Sequence, residues 1–144
     1  NFTYSTALEL SGENLGCETD LCIVQYGHRD KIEIAIGECK SEGGVITQDD
    51  CNKLKEVAKK ISSNGGMEAC IIFSKTSDSF LPEEIVLFKE LAKEAKIILL
   101  TTRELEPYHI YWLEEGGIEE DVPEKYPHSF SDLVRNSHAR YLKN

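Results

Sequence analysis

The chain reads as an α/β domain built on a mixed sheet, and three observations carry that reading. Its first forty residues hold β-rich segments with period-two alternation and short turns, the pattern of an antiparallel meander. From residue 47 the pattern changes to helical spacing, and strand, helix, strand, helix, strand follow in order, which implies right-handed parallel crossovers. At 144 residues, with 40% hydrophobic and 29% charged, the chain has the length and composition of one globular domain. Collagen-like, low-complexity and disordered classes are excluded by the same values.

The elements follow one by one. Thr3–Leu10 is rich in Thr, Tyr and Leu and stops at Ser11-Gly12. Asp20–Tyr26 (DLCIVQY) is the second strand, and Gly27-His28-Arg29-Asp30 is a turn. Lys31–Cys39 (KIEIAIGEC) alternates strictly and places Ile32, Ile34 and Ile36 on one face. Ser41-Glu42-Gly43-Gly44 is a loop, and Thr47 is the expected N-cap of a helix over Gln48–Ser62, with Asp49 and Asp50 in its first turn. Cys51, Leu54, Ala58 and Ile61 are its apolar stripe, and Asn64-Gly65-Gly66 ends it. Glu68–Ser74 is a strand. Pro82 opens a second helix whose stripe is Leu81, Ile85, Phe88, Ala92 and Ala95, and Lys96–Thr101 is a short buried strand. From Glu104 the chain is less regular, with Gly116-Gly117 and the acidic run Glu119–Asp121, until an amphipathic helix near Phe130–Leu142 that starts at Ser129 or Ser131.

Charge and cysteine usage narrow the class. Lys and Arg number 16 against 26 Asp and Glu, a net charge of −10, which opposes non-specific attraction to phosphates. Five cysteines at irregular spacing favour a reduced, cytoplasmic protein over a disulfide scaffold. The longest apolar runs, Ala69–Phe73 and Ile97–Leu100, fall far short of the ~20 residues that span a bilayer, so no membrane partner is expected. The first residue is Asn1, and no helix precedes the first strand, so a piece of a longer protein is expected.

The chemistry-bearing residues cluster at one sheet end. Glu38 and Lys40, two apart, share a strand face, and Cys39 points away. With a three-residue hairpin tip at His28-Arg29-Asp30, Gly27 lies opposite Lys31, and counting back puts Asp20 opposite Glu38. The same face holds Cys22, Val24, Ile32, Ile34 and Ile36, which supports that register. Two carboxylates so placed repel each other, and a hard cation with oxygen ligands, Mg²⁺ or Mn²⁺, relieves the repulsion. The backbone carbonyl of Cys39 lies between them as a further ligand. Lys40 beside such an ion would orient water and stabilise developing negative charge, so metal-assisted phosphodiester hydrolysis is the natural chemistry.

An Asp opening one strand, a Glu-x-Lys ending the next and an α/β crossover immediately afterwards resemble the PD-(D/E)xK nuclease superfamily, carried here by ETDLCIVQY…KIEIAIGECK over roughly Glu18 to Thr101. The resemblance implies a restriction-endonuclease-like fold over residues 1–106, with 107–144 as a C-terminal extension. It implies that Asp20 and Glu38 bind the metal and that Lys40 serves the attacking water. It adds Gln48, near the start of the following helix, as a fourth catalytic residue. Relatives also carry an upstream acid on an N-terminal helix that is missing here; Glu18, then Glu9, are the substitutes. The implied function is a metal-dependent nuclease module acting on nucleic acid, DNA before RNA. It would be attached to or recruited by another domain that supplies targeting, and a homodimer is compatible with cutting both strands. Two alternatives differ in class: a catalytically silent nuclease fold acting as an assembly module, and an unrelated small-molecule binding domain, which would need Asp20 and Glu38 far apart.

Other constellations carry less. Glu94-Ala95-Lys96 matches the same short pattern without a partner Asp. Cys17, Cys22, Cys39 and Cys51 lack zinc-knuckle spacing and read as packing residues. Cys39 with His28 lacks an oxyanion motif. Lys53, Lys55, Lys59 and Lys60 on the first helix, and Arg135, His138, Arg140 and Lys143 in the tail, are weak basic clusters. Tyr108, Tyr111 and Trp112 read as core cover.

Overall fold

The computed structural model describes residues 2–12, 15–26, 32–63, 65, 67–105, 123–124 and 126–143. Five strands form one sheet in the order β1-β2-β3-β4-β5. They are β1 (Phe2–Gly12), β2 (Leu15–Tyr26), β3 (Ile32–Lys40), β4 (Met67–Lys75) and β5 (Lys96–Leu100). The pairs β1/β2 and β2/β3 are antiparallel, while β3/β4 and β4/β5 are parallel. The mixed α/β sheet expected from the change of period is therefore present, in the expected order.

Helix α1 (Gln48–Ser63) crosses from β3 to β4 and α2 (Pro82–Leu91) from β4 to β5. Both cover the face that carries Ile36, Ile71, Phe73, Ile97 and Leu99, where Leu54 and Val57 of α1 and Phe88 of α2 complete the larger core. Phe73 and Phe88 stack at 4.9 Å, and Phe80 meets Phe88 edge-on at 5.1 Å. The opposite face carries Ala35, Cys70, Ile72 and Ile98 under Phe130, Leu133 and Val134 of a C-terminal helix, α4 (Phe130–Ser137). A short helix, α3 (Thr102–Leu105), follows β5 and has no counterpart in the sequence pattern.

Several boundaries differ from the sequence reading. β2 begins five residues earlier, at Leu15, so Asp20 sits mid-strand rather than opening it. Leu15–Thr19 (LGCET) includes a glycine and only two apolar residues, Leu15 and Cys17, and pairing with β1 extends the strand through it. α2 ends at Leu91 with Ala92 as C-cap, and Ala92 and Ala95 pack on the core from the turn beyond. Leu81 is the N-cap and lies at the surface. The terminal segment is not one helix: Ser129 caps α4 by accepting the Asp132 N–H, and His138–Leu142 continues as a π-helical turn. Residues 27–31, the hairpin tip with His28, lie outside the described residues, as do Gly116-Gly117, Glu119–Asp121, Tyr108, Tyr111 and Trp112.

The last elements close one sheet edge. Ser137 Oγ accepts the Leu99 N–H of the edge strand β5 at 2.8 Å. Tyr141 and Leu142 then pass to the α1/α2 face, where Tyr141 packs edge-on against Phe80 at 5.4 Å. Its hydroxyl reaches Glu104, whose carboxylate also takes the Thr101 N–H at 2.7 Å and the Arg140 guanidinium. Among the described residues no helix is long and apolar enough to cross a membrane.

Candidate functional site

The expected register between β2 and β3 holds: Leu21 lies opposite Gly37, Cys22 opposite Ile36 and Val24 opposite Ile34. Asp20 and Glu38, the next residues along on each strand, both line one cleft. The separation required by a binding domain with distant carboxylates is therefore not met.

Regular pairing stops at Leu21, and side chains take over from the backbone. Thr19 is fully buried, and its hydroxyl accepts the Gly37 N–H at 3.1 Å. The same hydroxyl lies 2.8 Å from the Gly37 carbonyl and 3.1 Å from that of Leu21, so it satisfies in β3 what a backbone partner would have satisfied. Asp20 Oδ2 then accepts the Cys39 N–H at 2.8 Å. A strand residue presents its N–H and C=O on the same edge, so the Cys39 carbonyl also faces β2 and Asp20. On the other side of β2, the position opposite Asp20 falls to Ala7, which has a left-handed φ of 53° and is missing from the β1/β2 ladder. The local irregularity changes the phase of β2: Cys17 and Cys22, five apart, pack into the same core.

Glu38 and Lys40 share the α1 side, as the alternation requires. Lys40 Nζ donates to Glu38 Oε1 at 2.5 Å and lies 3.9 Å from Asp50 Oδ2. The Glu38 hydrogen bond raises the Lys40 pKa above its ordinary value against the cost of burial, and the charges of Glu38, Asp50 and Asp20 add to the rise. The ammonium is held as a cation. The stem of Lys40 lies against Gly44, where an added Cβ would sit 3.1 Å from Lys40 Cβ.

A cleft of about 330 Å³ is lined by Cys17, Glu18, Asp20, Glu38, Asp50, Lys53 and Leu54; Lys40 is not in that lining and reaches it through its contacts with Glu38 and Asp50. Four carboxylates face one lysine in that lining. Glu18 is in that lining, whereas Glu9, its partner in the β1/β2 register, is not.

The helical wall differs from the expected one. Gln48 is exposed, its amide donates to Asn52 Oδ1 at 3.1 Å, and it does not line the cleft. Asp50, Lys53 and Leu54 do, because positions three and four apart share a helix face whereas Gln48 lies two residues from Asp50, about 200° around the axis. Asp50 is the site residue that sequence reasoning misses. Its one signal in the sequence is that of a first-turn acid, and it does cap: Asp50 Oδ2 takes the Thr47 N–H at 2.7 Å, and the Asp50 N–H donates to Thr47 Oγ1 at 3.2 Å.

The weaker candidates resolve into structure. Lys53 pairs with Asp49, and Lys55 and Lys59 both pair with Glu94. Arg135 pairs with Asp132 and Arg140 with Glu104. These five cations of the two basic clusters are thus committed to ion pairs. Cys51 and Cys70 are packed in the two cores, and burial pushes each thiol up to about 11. Among the described residues no three His, Cys, Asp or Glu side chains form a ready metal cage. The donors that Asp20, Glu38 and the Cys39 carbonyl offer are all hard oxygens, which suits Mg²⁺, an ion commonly held by one or two carboxylates while keeping several waters. The chain matches no family model, and no curated protein or solved structure is significantly similar to it.

Proposed function

We propose that this chain is a metal-dependent nuclease module of the PD-(D/E)xK type that hydrolyses phosphodiester bonds, DNA before RNA. The observation that supports it is the presence of Asp20 of β2 and Glu38 of β3 in the lining of one acidic cleft, with the Lys40 ammonium paired to Glu38. In this reading Asp20 and Glu38, with the Cys39 carbonyl, would hold Mg²⁺ or Mn²⁺, and Glu18 is a further carboxylate in the same cleft lining. A divalent ion bound there supplies Lewis-acid polarisation of a phosphoryl oxygen and a more acidic bound water. Lys40, a held cation, orients the attacking water and balances charge that develops on the phosphate. Asp50 and Lys53 form the helical wall in place of Gln48. A net charge of −10 makes unaided nucleic-acid binding weak, so targeting belongs to an attached or recruited domain.

One observation favours a second reading, a silent nuclease fold serving in assembly: both site carboxylates already have a partner, Asp20 the Cys39 N–H and Glu38 the Lys40 ammonium. Calorimetric titration of Mg²⁺ and Mn²⁺ separates the two. The nuclease reading expects binding in the micromolar-to-millimolar range that disappears in Asp20→Asn, a change that keeps an acceptor for the Cys39 N–H. Cleavage of a DNA duplex should then fall at least 10²-fold in Glu38→Ala and in Lys40→Ala with little change in melting temperature. Absence of metal binding in the native protein favours the silent fold.

A further inference from the structure

Beside the cleft lies a buried ion pair that the proposed chemistry does not use. Glu84 of α2 is fully buried and Lys75, the last residue of β4, is 4% exposed. Lys75 Nζ reaches both carboxylate oxygens, at 3.0 and 3.1 Å. Glu84 Oε1 also accepts the Ile46 N–H at 2.8 Å, and Oε2 accepts the Leu81 N–H at 2.8 Å. One carboxylate thereby joins the end of β4, the start of α2 and the residue just before the Thr47 cap of α1. Isolated burial of such a pair costs more than it returns unless the remaining lone pairs are filled, and here two backbone donors fill them.

Its neighbours explain what the pair holds. Lys75 is the register partner of Lys40, and the Thr76 N–H donates to the Lys40 carbonyl at 3.1 Å. Ile46, 1% exposed, leads directly into the turn that carries Asp50, Lys53 and Leu54. The strand wall and the helical wall of the cleft are thus both tied to the same carboxylate. We propose that Glu84, paired with Lys75, is a positioning residue that sets the spacing between the Glu38–Lys40 wall and the Asp50–Lys53 wall. This assignment rests on the nuclease reading for its catalytic consequence, but its geometric content does not.

The test uses Glu84→Gln and the double variant Lys75→Met/Glu84→Gln. The single variant strands a buried ammonium and can fail to fold, whereas the double variant removes both charges and leaves an amide that replaces only one backbone acceptor. In the folded double variant, amide exchange at Ile46, Thr47 and Asp50 should accelerate at least tenfold, with exchange in β5 unchanged. Its crystal structure should show the Lys40-to-Asp50 separation altered from 3.9 Å. Mg²⁺-dependent cleavage of a DNA duplex should lose at least tenfold in kcat with KM within threefold. Native exchange and an unaltered separation in the double variant overturn the proposal, as does altered geometry with unchanged kcat. If the native chain cleaves nothing, the nuclease reading fails, and the positioning claim stands or falls on exchange and spacing alone.

Discussion

Replacing Thr19 by Val tests the inference that a hydroxyl substitutes for backbone pairing beside the site. The two side chains branch alike at Cβ and differ by a methyl in place of the hydroxyl, so the fully buried position stays filled. What disappears is the acceptor for the Gly37 N–H at 3.1 Å and the donor to its carbonyl at 2.8 Å. Each buried group left unpaired costs about 1–3 kcal/mol, so the pair should cost ~3 kcal/mol. With an unfolding entropy near 0.3 kcal/mol/K for a chain of 144 residues, the melting temperature should fall by ~10 °C. Thr19→Ser is the control: it keeps the hydroxyl and loses one methyl, a cost of ~1 kcal/mol. Urea unfolding of the three proteins, read at unchanged m, should order them native, Ser, Val, with the Val midpoint lowest by more than ~1 M. Equal midpoints for Val and Ser would mean that water or a strand shift satisfies Gly37, and the hydroxyl-bridge account would be wrong.

Further predictions concern the sheet and the closing cluster. At Gly37 an added Cβ would stand 2.9 Å from the Ile72 carbonyl oxygen and 3.0 Å from Ile72 Cβ on β4, so Gly37→Ala must push two central strands apart; a loss of ~2–3 kcal/mol is expected by denaturant unfolding, and a neutral result refutes the close approach. Burial pushes the Glu104 carboxyl up, but the Thr101 N–H, Arg140 and the Tyr141 and Thr101 hydroxyls outweigh it and hold it below its ordinary 4.5. A lowered folded value contributes stability that is present above 4.5 and is lost as pH falls through it, so the advantage of native protein over Glu104→Gln should shrink steadily below pH 4.5. At the alkaline end burial pushes Tyr141 up from 10 to about 12, so stability is lost as pH rises through that interval, a loss that Tyr141→Phe should abolish. Thermal melts across pH would refute either account if native and variant curves stayed parallel.

Local chemistry was enough to foresee much of this molecule. Alternation in KIEIAIGEC and the length of its hairpin tip sufficed to set the β2/β3 register, because a strand admits only two faces and a two-stranded register only a few in-phase choices. Thr47 as a cap, Pro82 at a helix start and the Phe88 stripe were legible because each depends on neighbours within one turn. The extent of β2 was not, since Leu15–Thr19 offers only Leu15 and Cys17 as an alternating signal, broken by Gly16, and pairs along β1. Nor was the exchange of Gln48 for Asp50 in the cleft, which turns on the rotation of α1 about its axis, an angle set by how Cys51, Leu54 and Val57 seat on the sheet. The basic clusters looked available in the sequence because Glu94 and Glu104, the partners of Lys55 and Arg140, are chosen by packing rather than by spacing. Lys75 and Glu84, nine residues apart, carry no pattern at all; only the fold, by closing β4 and α2 over one carboxylate, turns two ordinary charges into a buried pair at the back of the site.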